Sequence, residues 1–192
     1  PPEYNGYKVY WEDEAHITPP HDKGIMDEVR AVTDYNTVKT MDLAQAKAAG
    51  LYQTIGAEVD DGYISELKKQ VIHQDAIDAV GSELKIVYSP LHGTGNIPAR
   101  RILRELGFKN VYVVKEQELP DGDFPTVSYP NPEAKEAFEL GLGLAKEVDA
   151  DLVLATDPDA DRLGVYVKDS KTGEYKELTG NMSGCLLADY EI

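Results

Sequence analysis

The hydrophobic positions from residue 84 onward predict strands that alternate with helices. Three short apolar runs bounded by turn residues have the length of buried strands: residues 84–88, 111–114 and 152–155. Two segments between these runs carry apolar residues at helical spacing: Ala99, Ile102, Leu103 and Leu106, then Phe138, Leu142 and Ala145. The alternation predicts an α/β fold with three layers, α/β/α, around a mixed sheet that is mainly parallel.

Both flanks of this region carry further patterns. Residues 163–168 and 175–178 predict a hairpin added to the sheet, because the turn pair Thr172-Gly173 lies between them. Four elements are predicted upstream: a strand at 7–11, a helix from Pro19-Pro20 to about Val32, a helix at about 41–49 that ends at Gly50, and a helix capped by Asp60-Asp61. These patterns divide the chain into three parts: a leading segment, 1–60, a main domain, 61–180, and the beginning of a third segment, 181–192.

An acidic loop follows the third apolar run directly. Asp157, Asp159 and Asp161 alternate along an extended segment, so their side chains point to the same side and converge. Three neighbouring carboxylates repel one another unless a cation lies between them, and Mg²⁺ prefers such oxygen ligands. Arg162 adds a planar cation that suits a carboxylate or a phosphate. The loop therefore predicts a magnesium site at the end of a strand, where open α/β sheets bind ligands.

Other interpretations compete with the magnesium site. The simplest of them is an acidic turn with solvated side chains. An EF-hand calcium loop would need Gly at its sixth position and Glu at its twelfth, where this chain has Arg162 and Lys168, so that interpretation fails. An aspartyl-nucleophile phosphatase also carries Asp-x-Asp after an apolar strand, but with Thr or Val at the position of Asp161. That phosphatase and a non-catalytic cation-binding α/β module both stay open as alternatives.

A second loop, at residues 90–95, lies between a predicted strand and a predicted helix. Its exposed amides could cradle an anion, but its glycines lack a full phosphate-binding pattern. A tight strand-to-helix turn explains the same residues equally well. We interpret His92 within it as a hydrogen-bonded loop histidine.

Charge and composition exclude several classes of partner. The chain has 19 Lys and Arg against 35 Asp and Glu, a net charge of −16, and it has no basic stripe. Nucleic acid and anionic membrane surfaces are therefore poor partners, and no apolar run approaches transmembrane length. The single cysteine, Cys185, excludes an internal disulfide and fits a cytoplasmic protein, with that thiol interpreted as a small buried hydrophobe. A sugar phosphate would need a local metal and arginines to overcome the overall charge.

The sequence Asp-Pro-Asp-Ala-Asp-Arg at residues 157–162 resembles the magnesium loop of the α-D-phosphohexomutases, the phosphoglucomutase and phosphomannomutase superfamily. Other stretches agree with that family: PPEYNGYK at 1–8, TPPHD at 18–22, SPLHGTG at 89–95, FPTV at 124–127 and PNPE at 130–133. The resemblance covers nearly the whole chain, and it is most specific at PPEYNGYK and at the acidic loop.

The resemblance implies an enzyme that moves a phosphoryl group between O1 and O6 of a hexose phosphate through a phosphoserine and a hexose 1,6-bisphosphate. Asp157, Asp159 and Asp161 would bind Mg²⁺ together with a phosphoserine oxygen, and Arg162 would steady the phosphoryl group. Lys8 follows the phosphorylated serine in the family and would assist proton transfer or phosphate binding. Glucose 1,6-bisphosphate would serve as activator and intermediate.

The resemblance also assigns the three parts of the chain. Residues 1–60 would be the end of domain 1, residues 61–180 domain 2, and residues 181–192 the start of domain 3. The family's serine would lie three residues before Pro1, and the sugar-binding and phosphate-binding loops would lie after Ile192. We therefore expect these 192 residues alone to lack mutase activity. We expect the leading segment to find other packing, to fray, or to exchange between weakly associated copies.

Overall fold

The computed structural model describes residues 8–192, so the predictions for residues 1–7, including most of the PPEYNGYK stretch, lie outside it. The described chain divides into two units, residues 8–56 and residues 57–192. The helices are α1 (His21–Ala31), α2 (Leu43–Ala48), α3 (Ala57–Lys69), α4 (Gln74–Val80), α5 (Asn96–Leu106), α6 (Glu139–Val148) and α7 (Gly180–Glu191). The strands are β1 (Lys85–Ser89), β2 (Asn110–Val113), β3 (Leu152–Thr156), β4 (Leu163–Lys168) and β5 (Tyr175–Leu178).

The five strands form one mixed sheet in the order β2-β1-β3-β4-β5. Strand β1 pairs in parallel with β2 and β3, while β4 is antiparallel to both β3 and β5. Helix α5 connects β1 to β2 and helix α6 lies between β2 and β3, because parallel neighbours need a crossover connection. The predicted α/β/α fold around a mixed sheet is confirmed, with the predicted hairpin added as β4 and β5.

The core lies where α6 packs on the centre of the sheet. Val87 of β1 and Val153 of β3 are opposite each other in the register and are fully buried. Gly141 of α6 allows the helix to approach, since a Cβ on it would lie 3.1 Å from Val153 Cγ1. The rings of Phe138 and Tyr166 pack with their centroids 4.6 Å apart. Each large apolar side chain buried here stabilises the fold by about 1.5–3 kcal/mol, so the ends of β1 and β3 are firmly held.

Two predictions about the amino-terminal elements are wrong. The strand expected at residues 7–11 is not formed by its described residues, of which Tyr10 makes one isolated antiparallel bridge. Helix α3 begins at Ala57, so Asp60 and Asp61 lie inside the helix and do not cap it. Asp60 still lies in the first turn, where a negative charge complements the helix dipole. The acidic residues do mark the start of this helix, but the helix begins about one turn earlier than the sequence predicts.

Helix α7 carries a further correction. Cys185 is exposed, contrary to the expectation of a buried thiol, because no residue of α7 is buried. The end of the helix is nevertheless attached to the unit, since Tyr190 Oη accepts hydrogen bonds from the backbone N–H groups of Ile72 and His73 at 2.9 and 3.0 Å. Within the part of the chain that the structure describes, no helix combines the length and the apolarity needed to cross a membrane.

The leading unit has no buried residue anywhere in its described part, residues 8–56. Large apolar side chains such as Tyr35 and Leu51 are 84% and 73% exposed. Local hydrogen bonds organise the unit instead: the Asp42 carboxylate caps α2 by accepting from the N–H groups of Ala44 and Gln45. Because short helices gain most of their stability from tertiary packing, α1 and α2 receive little stabilisation from within this unit.

An ion-pair network joins α3 to α5 in the main unit. Glu105 of α5 accepts from Lys68 Nζ of α3 at 2.5 Å and from Arg101 Nε at 2.7 Å, and Arg101 also pairs with Asp61 at 2.5 Å. The Lys68 ammonium and then the Arg101 guanidinium lower the pKa of Glu105 from its ordinary value of 4.5 to about 2. Glu105 is therefore more acidic in the folded chain than in the unfolded chain.

This shift predicts a specific acid sensitivity. A carboxyl whose pKa is lowered by folding stabilises the folded state above its unfolded pKa, and this stabilisation is lost as the pH falls through the folded pKa. The melting temperature of the native chain should therefore exceed that of Glu105→Gln above pH 4.5, and the difference should shrink toward zero near pH 2. Thermal unfolding followed by circular dichroism across this range measures the difference. Parallel curves for the two proteins would show that the network does not contribute in this way.

Candidate metal centre

The candidate site begins where β3 ends. Alternate residues of β3 are buried, and Asp157 continues this alternation with only 1% of its surface exposed. Pro158 follows and has no N–H to continue the ladder, so the chain turns at once toward β4. The Ala160 N–H donates to the Asp157 carbonyl at 3.0 Å, and Ala160 adopts a left-handed conformation with φ of 60°. The aspartate loop, residues 157–162, is therefore a tight turn between two paired strands.

The aspartate loop brings its three carboxylates together. One carboxylate oxygen from each of Asp157, Asp159 and Asp161 lies within 4.8 Å of the other two. Two ligands on opposite sides of Mg²⁺ are about 4.2 Å apart, because each Mg–O bond is about 2.1 Å long. Asp159 and Asp161 are exposed, so this side of the set is accessible from solvent. The donor set and its spacing fit a hard divalent cation with its outer positions open to water or phosphate oxygens.

Arg162 fixes the buried member of the set. Its backbone N–H donates to Asp157 Oδ1 at 2.9 Å and its Nε donates to Asp157 Oδ2 at 2.8 Å. The Asp157 carboxylate raises the pKa of the Arg162 guanidinium above its ordinary value. Each oxygen of Asp157 keeps a further lone pair, so the ion pair is compatible with metal ligation. The Arg162 side chain is 45% exposed, which leaves the guanidinium accessible from solvent.

The loop at residues 90–95 supports the aspartate loop from the end of β1. Thr94 donates twice to the Pro158 carbonyl, from its N–H at 2.9 Å and from Oγ1 at 3.0 Å. Gly93 lies so close that a Cβ on it would be 2.4 Å from Pro158 Cα. The sequence indicated only a tight turn or a weak anion-binding loop here. The contact between this loop and the aspartate loop could not be predicted from the local sequence, because Thr94 and Pro158 are 64 residues apart.

A buried polar network holds the 90–95 loop in turn. The His92 ring makes hydrogen bonds from Nδ1 to the Leu119 carbonyl at 3.1 Å and from Nε2 to Thr126 Oγ1 at 2.9 Å. Because a carbonyl can only accept, Nδ1 donates to Leu119, and in a neutral ring Nε2 then accepts from the Thr126 hydroxyl. Gln117, which is fully buried, accepts from Ser89 Oγ at 2.6 Å and donates to Thr126 at 3.1 Å. His92 is therefore a hydrogen-bonded loop histidine, as the sequence predicted.

A cleft of about 180 Å³ opens beside Arg162. Glu133, Glu177, Val165 and Leu178 are among the residues that line it. A guanidinium attracts phosphate oxygens, whereas carboxylates accept hydrogen bonds from hydroxyl groups. The cleft therefore places one guanidinium and two carboxylates within the same small space.

The predicted site residues fall into both units. The three aspartates and Arg162 come together within residues 57–192. Lys8 is exposed and belongs to the other unit, so its role near a phosphoserine stays a prediction. The residues that sequence reasoning did not assign to the site are Gly93 and Thr94, which contact the aspartate loop from the side.

The family model and three curated relatives that this chain matches are all sugar-phosphate mutases by name. Residues 61–173 match the family model described as phosphoglucomutase/phosphomannomutase, alpha/beta/alpha domain II. The chain is 39% identical to a phosphoribomutase of Saccharomyces cerevisiae, over 97% of this chain and 31% of that protein. It is 38% identical to a probable phosphomannomutase of Haemophilus influenzae, over 99% of this chain and 37% of that protein.

A third relative is a phosphoglucomutase of Staphylococcus saprophyticus, 35% identical over 97% of this chain and 33% of that protein. The chain thus spans about a third of the length of the curated relatives that it matches. The family model itself covers more than half of the chain. The chain therefore belongs to the phosphoglucomutase/phosphomannomutase family, in the α-D-phosphohexomutase superfamily, and contains its α/β/α domain II.

Proposed function

We propose that this chain is the magnesium-binding part of a mutase that interconverts hexose 1-phosphate and hexose 6-phosphate through a phosphoserine and a hexose 1,6-bisphosphate. One observation carries the proposal: three carboxylate oxygens lie within 4.8 Å of one another at the end of β3, in a chain of this family. The relatives' names refer to ribose, mannose and glucose. The broader substrate class is therefore a sugar phosphate, and a hexose phosphate is the specific expectation.

The residues of the aspartate loop have separate roles in this proposal. Asp157, Asp159 and Asp161 hold Mg²⁺, with Asp157 fixed in place by its two hydrogen bonds from Arg162. Mg²⁺, when bound, neutralises charge on a transferring phosphoryl group and fixes the position of its oxygens. Arg162 orients phosphate oxygens with its exposed guanidinium. Lys8 holds or moves a proton near the phosphoserine, with glucose 1,6-bisphosphate as activator.

The position of Asp157 counts against the phosphatase alternative. An aspartyl nucleophile must present a carboxylate oxygen to the phosphorus atom. Asp157 is 1% exposed, and both of its oxygens already accept hydrogen bonds from Arg162. A carboxylate held in this way is suited to ligation of a cation and is a poor nucleophile.

Metal binding is tested with Mn²⁺, which takes the same oxygen ligands as Mg²⁺ and broadens nearby amide signals in NMR spectra. Titration of the isotope-labelled chain should broaden the amides of the aspartate loop first. Asp159→Asn should require at least about tenfold more Mn²⁺ for the same effect. Asp123→Asn is the matched control, since Asp121 and Asp123 form another exposed Asp-x-Asp and should leave the titration unchanged.

The outcome separates a metal centre from general attraction to an acidic chain. Equal responses of the native chain, Asp159→Asn and Asp123→Asn would mean that Mn²⁺ follows the net charge of −16 and not the loop geometry. Loss of the response in Asp159→Asn alone would support the proposed centre.

Because the chain spans about a third of its relatives' length, the mutase reaction is tested in a protein of the relatives' full length that contains these residues, with hexose 1-phosphate as substrate and Mg²⁺ present. We expect isomerisation, and we expect its loss in Asp159→Asn. We expect none from the 192 residues alone, since the resemblance places the family's phosphorylated serine outside them. A longer protein that binds Mn²⁺ at the loop but isomerises no sugar phosphate would instead be a non-catalytic cation-binding module.

A further inference from the structure

We propose that Thr94 is a positioning residue that sets the geometry of the aspartate loop for cation binding. This inference rests on the proposed function, since it assigns Thr94 a part in the same metal centre. Thr94 is the residue whose N–H and hydroxyl both donate to the Pro158 carbonyl, at 2.9 and 3.0 Å. Pro158 stands between two of the three predicted ligands, Asp157 and Asp159.

Hydrogen bonds to the Pro158 carbonyl can fix the orientation of the next residue, Asp159, because peptide bonds are planar. The carbonyl belongs to the peptide unit that continues into Asp159, so its direction fixes the orientation of that unit. Asp157 is already fixed by Arg162. The direction of the Pro158 carbonyl therefore decides how the exposed Asp159 is presented relative to the buried Asp157. Two hydrogen bonds from Thr94 restrict the direction of this carbonyl more than one hydrogen bond would.

Thr94 can act in this way because the loop that carries it is itself rigidly held. The His92 N–H donates to the Gln117 carbonyl at 2.9 Å, and the His92 ring is bonded at both nitrogens. Gly93 packs directly on Pro158. The neighbouring Gly95 is equally confined, since a Cβ there would lie 2.7 Å from both Tyr88 Oη and Thr156 Oγ1. The hydroxyl of Thr94 therefore projects from a fixed support onto the aspartate loop.

Because Thr94 is exposed, its effect on metal binding can be measured separately from any effect on folding stability. Thr94 is exposed and contributes no buried apolar surface to the core. Removal of its hydroxyl should therefore leave the melting temperature almost unchanged, because substitutions at exposed positions usually alter stability very little. A weakened metal centre in a variant of unchanged stability is the signature of a positioning residue.

The test compares Thr94→Val with Thr94→Ser in the Mn²⁺ titration of the 192-residue chain. Valine keeps the shape and the backbone N–H but lacks the hydroxyl, whereas serine keeps the hydroxyl. We expect Thr94→Val to need about tenfold more Mn²⁺ for the same broadening of the Ala160 amide, the scale on which supporting residues affect metal affinity. Thr94→Ser should stay within about twofold of the native chain, and both variants should melt at the native temperature.

The other outcomes assign failure to one proposal or the other. If the native chain and Asp159→Asn respond alike, the metal centre itself fails, and the role of Thr94 fails with it. If Asp159→Asn loses the response while Thr94→Val keeps native affinity, the centre stands and the positioning role is overturned. Equal weakening in Thr94→Val and Thr94→Ser, accompanied by lower melting temperatures, would also overturn it, because the effect would then come from local unfolding.

Discussion

Replacing Gly93 with alanine is expected to abolish Mn²⁺ binding at the aspartate loop and to destabilise the chain by about 1–3 kcal/mol. A Cβ at this position would lie 2.4, 2.6 and 2.8 Å from the Cα, O and C atoms of Pro158. These are backbone atoms, so no side chain can rotate away to make room. The aspartate loop must shift as a whole, and the spacing of its carboxylates must change. Urea unfolding and the Mn²⁺ titration measure the two effects.

The control for Gly93→Ala is a glycine with open surroundings. A Cβ on Gly122 would meet no atom within 4 Å, so Gly122→Ala should preserve both stability and the Mn²⁺ response. If Gly93→Ala keeps native stability and native Mn²⁺ broadening, the 90–95 loop does not pack on the aspartate loop as the structure describes.

Replacing Phe138 with alanine is expected to destabilise the main unit by about 3–5 kcal/mol. The Phe138 ring is 1% exposed and packs on Tyr166, and its edge fills the space above Gly164, where a Cβ would lie 2.8 Å from Phe138 Cζ. Its loss leaves a cavity against β4, directly after the aspartate loop. Urea unfolding measures the change. Leu119→Ala is the matched control, since Leu119 is 71% exposed and its truncation should cost less than about 0.5 kcal/mol.

A loss of less than about 1 kcal/mol in Phe138→Ala would contradict the packing of Phe138 on Tyr166. In that case the core between α6 and the sheet would have to tolerate the cavity or close around it. The same variant also tests whether stability of the core and binding at the aspartate loop are separable, since the Mn²⁺ titration can be run under conditions where it stays folded.

The strands of the main unit could be predicted closely from the sequence. The predicted bounds of β4 and β5 agree with the structure, and β3 extends one residue beyond its predicted end, to Thr156. These strands were recognisable because burial in the sheet demands apolar residues, while turn residues mark the ends. The acidic loop was recognisable for a related reason: charged residues directly after a buried strand need a specific explanation.

Other features could not be predicted because they depend on residues that are distant in the sequence. Helix α4, Gln74–Val80, could not be predicted because it has no buried residue and therefore no apolar face in its sequence pattern. Thr94 and Pro158 are 64 residues apart, and only the parallel pairing of β1 with β3 brings their loops to the same edge of the sheet. Periodicity reports which face of an element is buried, but it does not report which loops meet.

A crystal structure of the chain grown with Mn²⁺, with anomalous data that locate the ion, would show directly whether the aspartate loop binds a metal. We predict one anomalous peak at the aspartate loop, with an oxygen of Asp157, of Asp159 and of Asp161 each within about 2.3 Å of it. A map with no peak at this loop, and with the three carboxylates directed to separate surroundings, would contradict this prediction.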